Sequence, residues 1–153
     1  MIKVLFVCLG NICRSPMAEF IFKDIVKKRG LEEQFFIDSA ATSGYNERYK
    51  ECMYIDAQDV LRKYNVPFTE HISRQIRKED YDKFDYILGM EDENIKNILK
   101  IVGKDTKNKV FKLLDFTEEP RDIIDPWYYG NFDATYDDIK YGCEMFLEYV
   151  IKK

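Results

Sequence analysis

A cysteine and an arginine separated by five residues, at the junction of an apolar run and a helix start, constrain this chain more than any other feature. The stretch is Cys8-Leu9-Gly10-Asn11-Ile12-Cys13-Arg14-Ser15, entered from Val4-Leu5-Phe6-Val7 and left through Pro16-Met17-Ala18-Glu19-Phe20. It reads as buried strand, tight loop and helix start. A loop entering a helix presents unpaired backbone N–H groups and the positive end of the helix dipole. Consecutive N–H groups in such a turn line a concave anion nest. Gly10 is expected to supply φ > 0 without steric cost. Arg14 adds a planar fork matching two phosphate oxygens. Ser15 is the expected N-cap and Pro16 the expected first helical residue. Cys8 then lies at the floor of a positively polarised cup, which favours the thiolate, the reactive form of the side chain. A cysteine ending a buried strand is ordinarily a small core hydrophobe. That reading leaves unexplained why Gly, Asn, Arg, Ser and Pro all stand where an anion cup needs them. The stretch therefore points to a sulfur nucleophile aimed at a bound phosphate.

The rest of the chain sets the frame. Its 153 residues suit a single domain, 1–153, with a substantial core. A net charge of −4 excludes wholesale binding to nucleic acid or to an anionic membrane, so anion preference must be local to the loop. Lys3 is followed by too short an apolar run for a signal peptide, and no segment is long enough to span a bilayer. Four cysteines without a small secreted scaffold argue for a reducing, cytoplasmic setting. One histidine and no paired-cysteine motif make a zinc site implausible, and neither metal nor cofactor is expected.

Helices are expected over Pro16–Arg29, Cys52–Lys63, Asp92–Val102 and Ala134–Ile151, with a helical turn near Lys78–Tyr81. In the first, Met17, Ile21 and Ile25 face a sheet while Glu19, Lys23, Lys27 and Lys28 face water, and Gly30 ends it. Strands are expected at Val4–Val7, Phe35–Ile37 with its end at Asp38-Ser39, Tyr86–Met90 and Val110–Leu114. This alternation argues for a parallel α/β sheet covered on both faces. Phosphate-ester cleavage also needs a proton for the leaving group. Asp125, in Ile123-Ile124-Asp125-Pro126-Trp127-Tyr128-Tyr129-Gly130, stands in a loop marked by Pro and Gly. From the residues alone it reads as an Asp that starts a turn.

Residues 2–19 resemble the opening of the low-molecular-weight protein tyrosine phosphatases. Asp38-Ser39-Ala40-Ala41-Thr42-Ser43-Gly44-Tyr45, the segment from Arg74-Gln75-Ile76 to Phe84-Asp85-Tyr86-Ile87-Leu88, and Asp125-Pro126-Trp127-Tyr128 agree with that family in the same order. The resemblance implies a four-stranded, doubly wound parallel sheet with the phosphate-binding loop after the first strand. It also implies a protein tyrosine phosphatase working through a cysteinyl-phosphate. Cys8 is then the nucleophile, and Arg14 with loop residues Leu9, Gly10, Asn11, Ile12, Cys13 and Ser15 binds phosphate. Asp125 becomes the general acid and base, reversing the turn reading. Trp127 and Tyr128 wall the pocket, while Tyr129 is assigned to ordinary loop packing. Ser39 and His71 support Asn11, whose side chain stabilises the loop. Ser15 gains a second role as a donor to the Cys8 thiolate. Cys13 is implied to form a reversible disulfide that protects Cys8. Cys52 and Cys143 are expected on buried helix faces. Any regulatory tyrosine phosphorylation of the aromatic pair falls to Tyr128, since Trp127 cannot carry it.

Phosphotyrosine proteins are the expected substrates and inorganic phosphate the product and inhibitor. The enzyme is expected to be a monomer without nucleic-acid or membrane partners. The segment Asn46–Glu51 is shorter than the family's usual one, which puts substrate preference in question; Tyr45 or Tyr49 is the candidate opposite wall. Three alternatives are disfavoured. Arsenate reduction needs further cysteines, and 87–110 has none. Phosphoarginine phosphatases carry Thr where this chain has Ile12. A dead phosphate-binding module has no reason to keep Cys8, Arg14 and Asp125 together.

Overall fold

The structure, a computed structural model, describes residues 1–153. Its strands are β1 (Ile2–Cys8), β2 (Phe35–Ala41), β3 (Tyr86–Gly89) and β4 (Val110–Lys112). All pairings are parallel and the order is β2-β1-β3-β4. The helices are α1 (Arg14–Lys28), α2 (Tyr45–Arg48), α3 (Ile55–Lys63), α4 (Asp80–Lys83), α5 (Asp92–Val102), α6 (Pro126–Tyr129) and α7 (Phe132–Ile151). No helix is long and apolar enough to cross a membrane.

β1 is the middle of the molecule. Val4, Leu5, Phe6 and Val7 are fully buried because both faces of the strand are covered. Alternation divides them: Val4, Phe6 and Cys8 join the core under α1 and α7, while Leu5 and Val7 join the core with Phe84, Ile98 and Val102 on the α5 side. On the first face Phe22 meets Phe6, Phe35 and Phe146 at ring separations of 5.8, 5.3 and 5.5 Å. α7 comes close enough to the turn after β4 that a Cβ on Gly142 would stand 2.6 Å from Leu113 Cγ. The chain leaves β1 for β2 on one side and returns to β3 on the other. This reversal of strand order puts the loop after β1 at the switch point, where open α/β sheets bind ligands.

Element ends depart from the sequence reading for local reasons. α1 begins at Arg14, with Cys13 at the N-cap position, so Ser15 is no cap and Pro16 is the third helical residue. Ser15 is instead fully buried and spends its hydroxyl on the loop. α3 begins at Ile55, not Cys52: Cys52 forms a bridge with Ile72 and is exposed, and extended Tyr54 gives its N–H to the Ile12 carbonyl. β2 runs on to Ala41, in register with Cys8. β4 stops at Lys112, whose N–H donates to Asp115 Oδ2 and turns Leu113–Phe116 into a 3₁₀ helix. The turn before β3 is α4, with Asp80 accepting from the Arg77 N–H. α7 starts two residues early because Asn131 Oδ1 accepts from the Ala134 N–H.

Candidate active site

The loop Cys8–Arg14 is shaped by what happens to its carbonyls. The Cys8, Leu9 and Ile12 carbonyls accept from the N–H groups of Thr42 (2.9 Å), Ser43 (3.0 Å) and Tyr54 (2.8 Å). The Gly10 carbonyl accepts from Ser73 Oγ at 2.8 Å, the Asn11 carbonyl lies 3.3 Å from His71 Nε2, and the Cys13 carbonyl accepts from Met17 N–H at 3.0 Å. Six successive carbonyls are thus tied to the surrounding scaffold. In a trans peptide the N–H points opposite to the carbonyl, and the chain has no cis bond. The following N–H groups therefore turn toward the concave side. Those of Leu9, Gly10, Ile12, Cys13, Arg14 and Ser15 donate to no acceptor within the protein, and that of Asn11 points at Cys8 Sγ, 3.3 Å away. This is an anion nest built by its outer contacts.

The left-handed residue of the loop is Asn11, at φ 57°, and not Gly10. Gly10 leaves room for a neighbouring side chain: a Cβ there would stand 2.8 Å from Asn46 Oδ1, so Asn46 would have to move. Asn11 is completely buried, and Arg74 N–H fixes its amide orientation by donating to Oδ1, which His71 Nε2 also meets at 3.1 Å. Its Nδ2 then donates to Ser15 Oγ at 2.7 Å and Ser39 Oγ at 3.0 Å.

A residue that the sequence reading placed in water governs this network. Glu19 is buried; its Oε1 accepts from Ser39 Oγ at 2.6 Å and its Oε2 from Lys23 Nζ at 2.6 Å. The polarity is forced along the chain. Because Ser39 gives its proton to Glu19, its oxygen accepts from Asn11. Because Asn11 also donates to Ser15, the Ser15 proton is left for Cys8 Sγ at 3.0 Å or the Ala40 carbonyl at 3.3 Å. His71 Nδ1 lies 3.8 Å from Glu19; burial lowers the His71 pKa, against the opposing pull of that carboxylate. The one available signal for Glu19 was its position one helical turn after Ser15.

Arg14 is buried, with Nη1 2.8 Å from the Ile123 carbonyl and 3.2 Å from Glu91 Oε2, and Nη2 3.4 Å from Asp125 Oδ2. Burial opposes its charge, but Cys8, Asp125 and Glu91 outweigh burial and raise its pKa. Glu91, just past β3 at the same sheet edge, escaped the sequence reading because an acid before a helix reads as a cap. Asp125 is also the N-cap of α6: Oδ1 accepts from Trp127 N–H at 3.0 Å. Asp125 thus starts a helical turn and also lines the cavity beside Arg14. Burial, then the neighbouring Cys8 and Asp125, push the Cys13 thiol far above its ordinary range. All four cysteines are free thiols.

Above the loop is a cavity of about 470 Å³, walled by Tyr45 and Asn46 on one side and by Trp127 and Tyr128 on the other, with Ile12 and Asp125 among its lining residues. Tyr54 supports Trp127 edge to face at 4.7 Å. Tyr49 stays outside the lining and packs on Tyr45 at 5.0 Å. Tyr129 does not pack into the loop; it is 76% exposed. Ser39 and His71 are absent from the lining and touch the loop from behind.

Fold and loop together define an α/β protein whose buried cysteine and unpaired loop N–H groups share one pocket at the switch point. Comparison with known proteins narrows this. The family profile described as low molecular weight phosphotyrosine protein phosphatase matches residues 3–153. YfkJ of Bacillus subtilis, named a low molecular weight protein-tyrosine-phosphatase, is 41% identical, with 100% of this chain and 98% of that one covered. Its crystal structure superposes with a TM-score of 0.92 over 99% of this chain and 96% of that one. PtpA of Staphylococcus aureus, with the same description, is 39% identical over 99% of this chain and 96% of its own. The Drosophila arginine phosphatase DARP has a TM-score of 0.86 at 33% identity, over 97% of this chain and 98% of that one. The chain belongs to the low molecular weight protein tyrosine phosphatase family.

Proposed function

We propose that this tyrosine phosphatase works through Cys8, Arg14 and Asp125 in two steps. In the first, the Cys8 thiolate attacks phosphorus in line with the tyrosyl oxygen. The S–P bond forms, the P–O bond breaks, and the phenolic oxygen takes the proton of Asp125. The inward N–H groups and the Arg14 fork hold the equatorial oxygens, where charge is greatest in the transition state. A bound phosphate dianion draws the Arg14 fork from Asp125 and brings negative charge beside that carboxyl, which favours its protonated form. In the second step Asp125 takes a proton from water, whose oxygen attacks phosphorus. The S–P bond breaks, inorganic phosphate forms, and the Ser15 hydroxyl donates to the departing thiolate. Inorganic phosphate then competes for the same nest.

The observation that carries this reading is the row of six outward carbonyls behind a sulfur that meets Ser15. Ile12 offers the aromatic ring an apolar contact and a guanidinium no acceptor, which favours phosphotyrosine over phosphoarginine. The finer reading is a monomer acting on phosphotyrosine proteins in the cytoplasm. A cavity lined by a single chain, and four cysteines in a chain that is no small secreted scaffold, support it. The test is Cys8→Ser assayed on p-nitrophenyl phosphate in the presence of a chelator. Wild type is expected to turn over and the variant to lose turnover while still binding vanadate. Near wild-type rates in the variant would overturn the mechanism.

A further inference from the structure

Glu51 is a carboxylate in the wall of an anion-binding cavity, and the phosphate chemistry makes no use of it. Its place is fixed on three sides. Its N–H donates to the Asn46 carbonyl at 3.0 Å, its carbonyl accepts from Ser73 N–H at 2.9 Å, and its Oε2 accepts from Asn46 Nδ2 at 2.7 Å. Ser73 in turn holds the Gly10 carbonyl and Asn46 presses on Gly10, so the carboxylate is locked to the phosphate loop itself. Its Oε1 accepts no hydrogen bond from the protein.

The other acids around the cavity are engaged. Glu47 takes Arg77 and the Gln75 N–H, Asp125 takes Arg14 and the Trp127 N–H, and Glu91 takes Arg14. Asp56, exposed in the first turn of α3, adds to the negative field felt at Cys13. Arg14 is the one cation in the lining; Arg48 and Lys50 of the same segment as Glu51 are exposed and lie outside it. A substrate that brings only a phosphate therefore sets two like charges in one cavity. A substrate with a cation beside the phosphotyrosine resolves this.

Resting on the phosphotyrosine reading above, we propose that Glu51 receives a Lys or Arg side chain next to the phosphotyrosine, so that the enzyme prefers basic phosphopeptides. A partly exposed ion pair is worth about a twofold to fivefold preference in kcat/KM. The test uses two phosphotyrosine peptides that differ only in carrying Lys or Glu at both flanking positions. Wild type is expected to favour the Lys peptide, more at low salt than at high salt. Glu51→Gln, which keeps an acceptor for Asn46, is expected to bring the ratio of the two kcat/KM values close to one. That ratio is independent of how much of the variant is folded. A wild-type preference for the Glu peptide, as exposed Arg48 and Lys50 would produce, overturns the proposal, and so does a ratio unchanged in Glu51→Gln. If wild type hydrolyses neither peptide nor p-nitrophenyl phosphate, the functional reading falls and this proposal falls with it.

Discussion

Asp125 does two things with one carboxyl: it caps α6 through Trp127 N–H and stands 3.4 Å from Arg14. Asparagine keeps the cap and loses the acid, so Asp125→Asn and Asp125→Ala separate the two. A phenolate leaving group with a conjugate-acid pKa of ~10 depends on protonation. Both variants are therefore expected to slow phosphotyrosine by about 10²–10⁴-fold and p-nitrophenyl phosphate far less. Both are also expected to erase the alkaline limb of the kcat profile, which reports the acid of the substrate-bound enzyme. Equal losses on both substrates, with the profile unchanged in Asp125→Asn, would mean that Asp125 only shapes the loop. Asp122 and Asp133 are the next acids in sequence, but one is held by Lys112 and the other by Lys63. At this scale residue type and spacing put Cys8 and Arg14 in one loop, whereas Asp125 read as a turn starter and was joined to them only through resemblance; all three line one cavity. The sequence put Glu19 in water, wrongly, since an acid on a helix reads as exposed unless its partner is known. That partner, Ser39, comes from a strand twenty residues away.

The loop and the short helix α2 fit through a single missing methyl group. Gly10→Ala is expected to bring the new Cβ against Asn46 Oδ1, turn that side chain away from Glu51 and lower kcat/KM. Because Gly10 lies at φ < 0, alanine is otherwise tolerated there. Gly10→Ala combined with Asn46→Ala is therefore expected to recover most of the loss in a double-mutant cycle. Additive losses would show that Gly10 serves backbone conformation instead. Elements were legible where their own ends carry signals. α5 spans Asp92–Val102 as its sequence predicts, because Asn94 Oδ1 accepts from the Glu91 N–H, Glu91 closes a capping box, and Gly103 follows at φ 91°. The start of α3 was not legible. Its expected first turn is drawn off to hold the Ile12 carbonyl and to bridge Ile72, contacts that only the tertiary structure creates.

The whole molecule holds the loop by burying β1 between two cores, and the larger core centres on Phe22. Phe22→Ala removes a ring that touches three others and is expected to cost about 3–5 kcal/mol, read as a lower urea midpoint with an unchanged slope. A loss below 1 kcal/mol would mean that α1 repacks freely against the sheet. Sheet order could be read only through resemblance, since alternating strands and helices fit several parallel orders. Once β1 is central, the site's place at its C-terminal end follows from the reversal toward β2 and β3. Everything at that edge serves one claim, that the Cys8 sulfur becomes bonded to phosphorus. The direct measurement is rapid acid quenching of wild-type enzyme during turnover of phosphotyrosine peptide, followed by mapping of the labelled peptide. Phosphate is expected on the Cys8 sulfur, appearing before steady state and absent in Cys8→Ser. Steady turnover with phosphate on another residue, or on none, would contradict it.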